Sequence, residues 1–220
     1  TITFTFSEDP GTGASASFTL GDITVSGGTL SNLVVDANDS KKYTALFTPT
    51  PGSNTAASIG IASERFQDAA GNTNTDGNEG NNTLNLAIDT VLPVVEITSN
   101  VAAVKAGETA TLTLVFSEVP SLLDITDLVV PAGKGALSNL VLDSADTSNK
   151  TYKVTYTPPS GINGVDAIDL QSVAISIASG TFSDAAGNLN ADGGEANNSV
   201  TIKVDSKVPV DPVIALRSDT

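Results

Sequence analysis

The residues best able to do chemistry in this chain are oxygen donors, and they recur. A carboxylate follows an alternating stretch at Glu8 and again at Glu118. A second opens the run Asp-Ala-Ala-Gly-Asn at Asp68 and at Asp184, and a third, Asp89 or Asp205, precedes a Pro. Three carboxylates gathered at one place repel one another unless a cation joins them, and calcium accepts about six to eight oxygens in flexible geometry. Each copy adds a loop, Asn72-x-Asn74-x-Asp76-Gly77 or Asn188-x-Asn190-x-Asp192-Gly193, with the spacing of calcium loops, in which alternate side chains converge. Its first position is Asn rather than Asp and the closing bidentate Glu is lacking, so an EF-hand is not supported. The candidate metal ligands are therefore Glu8, Asp68, Asn72, Asp76 and Asp89, then Glu118, Asp184, Asn188, Asp192 and Asp205, with Ca2+ as the expected ion. The plainer alternatives are a long polar hairpin loop and separate solvated acids.

Composition removes most other chemistry. The chain of 220 residues carries 25 acidic and 10 basic groups, a net charge of −15, and 18 of the acids are Asp. That sign argues against a surface that tracks phosphates, so no nucleic-acid partner is expected. With no Cys and no His, thiol nucleophiles, zinc–thiolate sites, disulfides and a Ser-His-Asp triad are excluded. Apolar residues make up 40%, enough for a core, but no run is long enough to insert into a membrane. A paired-carboxylate glycosidase built on Glu118 and Asp184 would need pocket aromatics, and none accompany them. No enzyme is expected.

The elements that must position these acids come in two copies. Thr1 to Glu8 reads against Thr111 to Glu118, Gly28 to Asp36 against Gly135 to Asp143, and Phe66 to Asn72 against Phe182 to Asn188, a period of about 110 residues. This divides the chain into module 1 at 1–92, module 2 at 93–209 and the start of a third unit at 210–220. Copy one has no counterpart of the strand-like Val94 to Thr98, so its first strand is expected to be missing, as in a window cut from a longer tandem array. Alternation in Thr1 to Phe6, Lys150 to Thr157, Val173 to Ile177 and Val200 to Val204 predicts strands, with turn residues every eight to twelve positions. About seven short strands per hundred residues point to an all-β fold of two tandem immunoglobulin-like β-sandwich modules joined by a short linker.

In copy two the expected strands are A (94–98), B (109–117), C (125–130), D (137–142), E (150–157), F (172–179) and G (199–205). If consecutive strands alternate direction, the B–C, D–E and F–G loops gather at the end where the chain enters. Glu118, Asp143, Asp146, Asp184, Asp192 and Glu195 then share that end, and Asp89 should meet Glu118 and Asp184 there. Tyr43, Tyr152 and Tyr156 all fall on strand E and read as core or sheet residues, and Arg65 is close enough in sequence to pair with Asp68.

Phe-Ser-Glu, Gly-x-Leu-Ser-Asn-Leu, Phe-x-Asp-Ala-Ala-Gly-Asn and a closing Asp-Thr/Ser-x-x-Pro together resemble bacterial immunoglobulin-like repeats, such as those of giant RTX-type surface adhesins. The resemblance covers nearly all of both copies. It implies a calcium-rigidified extender, secreted to the bacterial cell surface, that projects a distal binding domain for cell adhesion or biofilm. Its partners would be neighbouring repeats of the same chain, with intermolecular strand pairing through 213–216 as a further expectation. The alternative is a carbohydrate- or protein-binding β-sandwich that uses its acidic loops.

Overall fold

The computed structural model describes residues 1–11, 18–75, 80–159, 169–191, 196–207 and 214–215. The chain forms two compact units, Thr1–Val91 and Leu92–Thr220. Among the described residues the regular structure of both is almost wholly β-strand, as the alternation requires.

In the first unit, β1 (Ile2–Thr5), β3 (Gly28–Asp36) and β4 (Asp39–Pro49) form one antiparallel sheet in the order β1-β4-β3. Facing it, β2 (Ile23–Ser26), β5 (Ala57–Ile61) and β6 (Thr83–Leu86) form a second in the order β2-β5-β6. Alternation along β1 turns Ile2 and Phe4 inward and leaves Thr3 and Thr5 exposed. The core is aromatic. The Phe18 ring lies edge-on to Phe4, Phe6, Tyr43 and Phe66, with centroids 4.8 to 5.6 Å apart, the geometry that ring quadrupoles favour.

The second unit adds strands at its leading end. The strands β7 (Val95–Ser99), β9 (Ala110–Phe116), β11 (Ala136–Leu142) and β12 (Thr151–Thr157) make a sheet in the order β11-β12-β9-β7. The other sheet, β10-β13-β14-β8, is made from β8 (Ala103–Lys105), β10 (Leu128–Val129), β13 (Gln171–Ile177) and β14 (Ser199–Asp205). Here β8 runs parallel to β14, a pairing that alternation did not foretell, because a segment of three residues carries almost no periodic signal. The expected C strand is shorter than foreseen: Asp124 caps a 3₁₀ turn at Ile125–Asp127, leaving two residues of strand. Leu112, Leu114, Ile175, Ile202 and Val204 are fully buried, so this core is mainly aliphatic. Tyr156 joins it and donates its hydroxyl proton to the Lys134 carbonyl.

The repeated Gly-x-Leu-Ser-Asn-Leu has a local cause. Asn139 and Asn32 adopt left-handed φ values of 57° and 53° at a register shift in β11 and β3, where Asn is tolerated better than branched residues. The Gly ahead of each lies under a ring: a Cβ at Gly135 would fall 2.7 Å from Tyr156, and at Gly28, 2.5 Å from Phe47.

Loop gathering follows the strand directions. At one end of the second sandwich, Val94 N–H donates to Ser117 Oγ, the Lys150 ammonium donates to the Ser117 carbonyl, and Ser121 pairs with Ser183. Ala191 N–H reaches the Pro93 carbonyl. The chain's entrance and the loops after β9, β11 and β13 therefore meet at that end.

Candidate metal centre

The loop after β13 is built around one carboxylate. Asp184 Oδ1 accepts the Asn188 backbone N–H at 2.8 Å and Oδ2 accepts the Asn188 side-chain amide at 2.7 Å. Asp184 N–H donates to the Asn188 carbonyl at 3.1 Å, and Gly187, at φ 91°, closes the turn as a side-chain-bearing residue rarely can. Asp68, Gly71 and Asn72 repeat the arrangement, with both Asn72 contacts at the same two distances. Asp-Ala-Ala-Gly-Asn is thus a self-contained turn whose carboxylate is oriented before any ligand arrives. Hydrogen bonds from Asn72, Ala70 and Gly71 hold the Asp68 carboxyl below its ordinary range. For Asp184 burial pushes upward, but hydrogen bonds from Asn188, Gly187 and Ala186 outweigh it, and the group stays ionised.

Three carboxylates converge on this turn. Ligand oxygens of Asp89, Glu118 and Asp184 all lie within 4.8 Å of one another. Asp89 is exposed in the segment leading into the second module, Glu118 is half-buried at the end of β9, and Asp184 is buried. Oxygens on one calcium ion, each about 2.3 to 2.6 Å from it, can be at most roughly 5 Å apart, so the spacing suits a shared hard cation. The donor set suits it as well, being oxygen throughout.

The remaining candidates divide. Asp205, exposed at the end of β14, accepts the Lys207 N–H at 3.3 Å, as Asp89 accepts the Val91 N–H at 3.2 Å, so the two matched positions make the same turn. Glu8 and Asp68 line one open pocket with Asp9 and Asn72 but do not join a third acid at metal spacing among the described residues. Asn72 and Asn188 orient their Asp partners. Asp76 and Asp192 lie outside the described residues.

Two readings of the sequence need correction. The calcium-loop spacing drew in Asn74 and Asn190, but Asn190 Oδ1 accepts the N–H groups of Thr181 and Phe182 at 2.8 and 3.1 Å, and its amide donates to the Ala178 carbonyl. Asn74 does the same for Arg65, Phe66 and Ala62. Both are pins across the loop, because a side chain with a carbonyl and an amide can bridge two facing backbones at once. The Arg65–Asp68 ion pair also fails to form: the ion pairs among the described residues are Lys105–Glu108, Lys153–Asp143 and Lys207–Asp169. Asp143 and Asp146, expected at the acidic end, have partners of their own. Lys153 lies 2.9 Å from Asp143, while Asp146 accepts from Ser148 and from the Lys150 N–H.

The sequence reading passed over the paired asparagines as functional groups. Asn82 and Asn198 each donate their amide to a strand carbonyl, that of Ile61 or Ile177, and recurrence in both copies was the available signal.

These features define a sandwich repeat with an acidic loop end, and comparison gives the class. The model of the bacterial Ig-like domain matches residues 1–87 and 89–204, and the chain belongs to that family. The second match begins at Asp89, so all three converging acids fall within it. Among solved structures, the chain is similar to FdeC, described as a broadly conserved Escherichia coli adhesin, at 11% identity and a TM-score of 0.46. That match covers 84% of this chain and 54% of the other, so this chain spans about half its length. No curated relative matches.

Proposed function

We propose that this chain is a calcium-stabilised spacer segment of a bacterial surface adhesin, structural rather than catalytic, whose repeats hold a distal binding domain away from the cell. The convergence of Asp89, Glu118 and Asp184 carries the reading. Family membership supports the setting, because bacterial Ig-like domains recur in tandem, as they do here. An RTX-type parent and a part in biofilm belong to the same reading and rest on the sequence motifs.

Calcium would supply the positive charge that the three acids need in order to stay together. Asp184 would be the oriented ligand, fixed by Asn188; Glu118 would bring the end of β9; Asp89 would supply the third carboxylate oxygen. Asn72 and Asn188 serve as orienting residues in this scheme, and Glu8, Asp68 and Asp205 as the corresponding positions at neighbouring repeats.

Calorimetric titration of calcium into the chelator-stripped protein tests the proposal, together with thermal melts in calcium and in chelator. An ion that binds only the folded state adds about 2.7 kcal/mol at a hundredfold excess over its Kd, which raises the melting temperature by several degrees. Asp184→Ser and Asp89→Ala should each weaken the heat signal. Superimposable melts with no heat of binding would end the calcium reading.

A further inference from the structure

Each module places a pair of asparagines just ahead of its last strand, Asn81-Asn82 before β6 and Asn197-Asn198 before β14. The second of each pair is engaged, its amide donated to the Ile61 or Ile177 carbonyl. Asn197 differs: its Oδ1 is buried and has no hydrogen-bond partner. Among the described residues it is the one buried side-chain oxygen or nitrogen left so. A buried acceptor without a partner bears its full desolvation cost, and native interiors hold few of them.

Its place in the fold is the acidic end of the second module. The 3₁₀ turn Ala196–Asn198 packs against β7, whose first residue, Val95, lies opposite Phe116, two positions before Glu118. Next to it, Asn198 is tied to Ile177, which ends β13 and leads into the Asp184 loop. Asn197 is thereby held at the same end as Glu118 and Asp184. The first module repeats the relation. Asn81 lines one pocket with Glu8, Asp68 and Asn72, the counterparts of Glu118, Asp184 and Asn188.

The chemistry of the place selects the partner. Three carboxylates already exceed the charge of one divalent ion, so a fourth acid would add repulsion. Calcium nonetheless takes about six to eight oxygens, amide carbonyls among them. A neutral Oδ1 adds a donor without adding charge, and the ion satisfies the oxygen in return. We propose that Asn197 Oδ1 is a further ligand of the calcium ion held by Asp89, Glu118 and Asp184, an assignment that rests on the calcium reading above. Within the pair, Asn198 is then the pin and Asn197 the ligand.

Calcium calorimetry and terbium luminescence lifetimes in ordinary and heavy water test it on Asn197→Ala, Asn197→Ser and, as the contrast, Asn198→Ala. Removing a group that only orients a metal ligand costs about tenfold or more in affinity, and removing a ligand costs no less. Both Asn197 variants should therefore bind calcium at least about tenfold more weakly. The lifetimes should count about one extra water on the bound terbium, as solvent takes the amide's position. In chelator their melting curves should match wild type, because Oδ1 has no partner to lose. Asn198→Ala should do the reverse, melting lower in chelator while keeping its calcium affinity and water count. Two results overturn the assignment and leave the calcium site standing. One is wild-type affinity with an unchanged water count in both Asn197 variants. The other is weaker binding with an unchanged water count and a lower melt in chelator. A wild type that binds neither calcium nor terbium overturns the site and the assignment together.

Discussion

Replacing Asn190 by Ala separates the pin from the ligand. Asn190 is 2% exposed and holds three backbone groups: the N–H of Thr181 and of Phe182 on its oxygen, and the Ala178 carbonyl on its amide. Truncation leaves these groups without that side chain in a place where Phe182, 1% exposed, keeps water out. An unsatisfied buried donor costs about 1–3 kcal/mol, so the two N–H groups together cost roughly 2–6 kcal/mol. The lost carbonyl bond adds about 1 kcal/mol, part of which water recovers. For a module of this size about 1 kcal/mol moves the melting temperature by roughly 3–6 °C, so the second module should melt at least about 10 °C lower. Scanning calorimetry resolves it, and the first module's transition should hold still. The same variant, titrated with calcium well below its melting point, should keep wild-type affinity, whereas Asp184→Ser should lose it. A melt shifted by less than about 2 °C, or calcium binding lost without a melting shift, would refute the assignment, since a ligand and a pin fail in opposite ways.

The pH dependence has a definite sign. Asp184 titrates below its ordinary range in the folded state, so its contribution is fully present above the unfolded pKa, about 3.9, and is lost as pH falls through the lower folded value. Asp184→Asn should therefore flatten the acid limb of a stability–pH curve measured in chelator; an unchanged limb would count against the hydrogen-bonded turn. Gly135→Ala should destabilise by more than about 2 kcal/mol, because its Cβ would sit 2.5 Å from the Thr157 carbonyl oxygen at a φ of 121°. Gly133→Ala, with φ 72° and nothing within 4 Å, should cost only about 1 kcal/mol, and equal losses in denaturant melts would refute the steric account.

Much of the architecture could be read directly from the chain. Alternation in Thr1 to Phe6 and Val200 to Val204 has the two-residue period of a strand, and a repeat of about 110 residues separates the copies. Antiparallel connection then makes loop position a matter of counting, which is why the loops after β9, β11 and β13 gather where the chain enters the second module. Spacing within a loop carries less. Asn188 and Asn190 are the same residue two positions apart, yet one orients a carboxylate and the other spans two backbones, because only the folded turn decides which groups each amide meets. Matched Asp68 and Asp184 likewise differ in burial, Asp184 being buried where Asp68 is half-buried. Residue types and periods determined strands, turns and the ends where acids collect. Packing across the sheets, a property of surfaces brought together from distant segments, decided which of those acids and amides were already engaged.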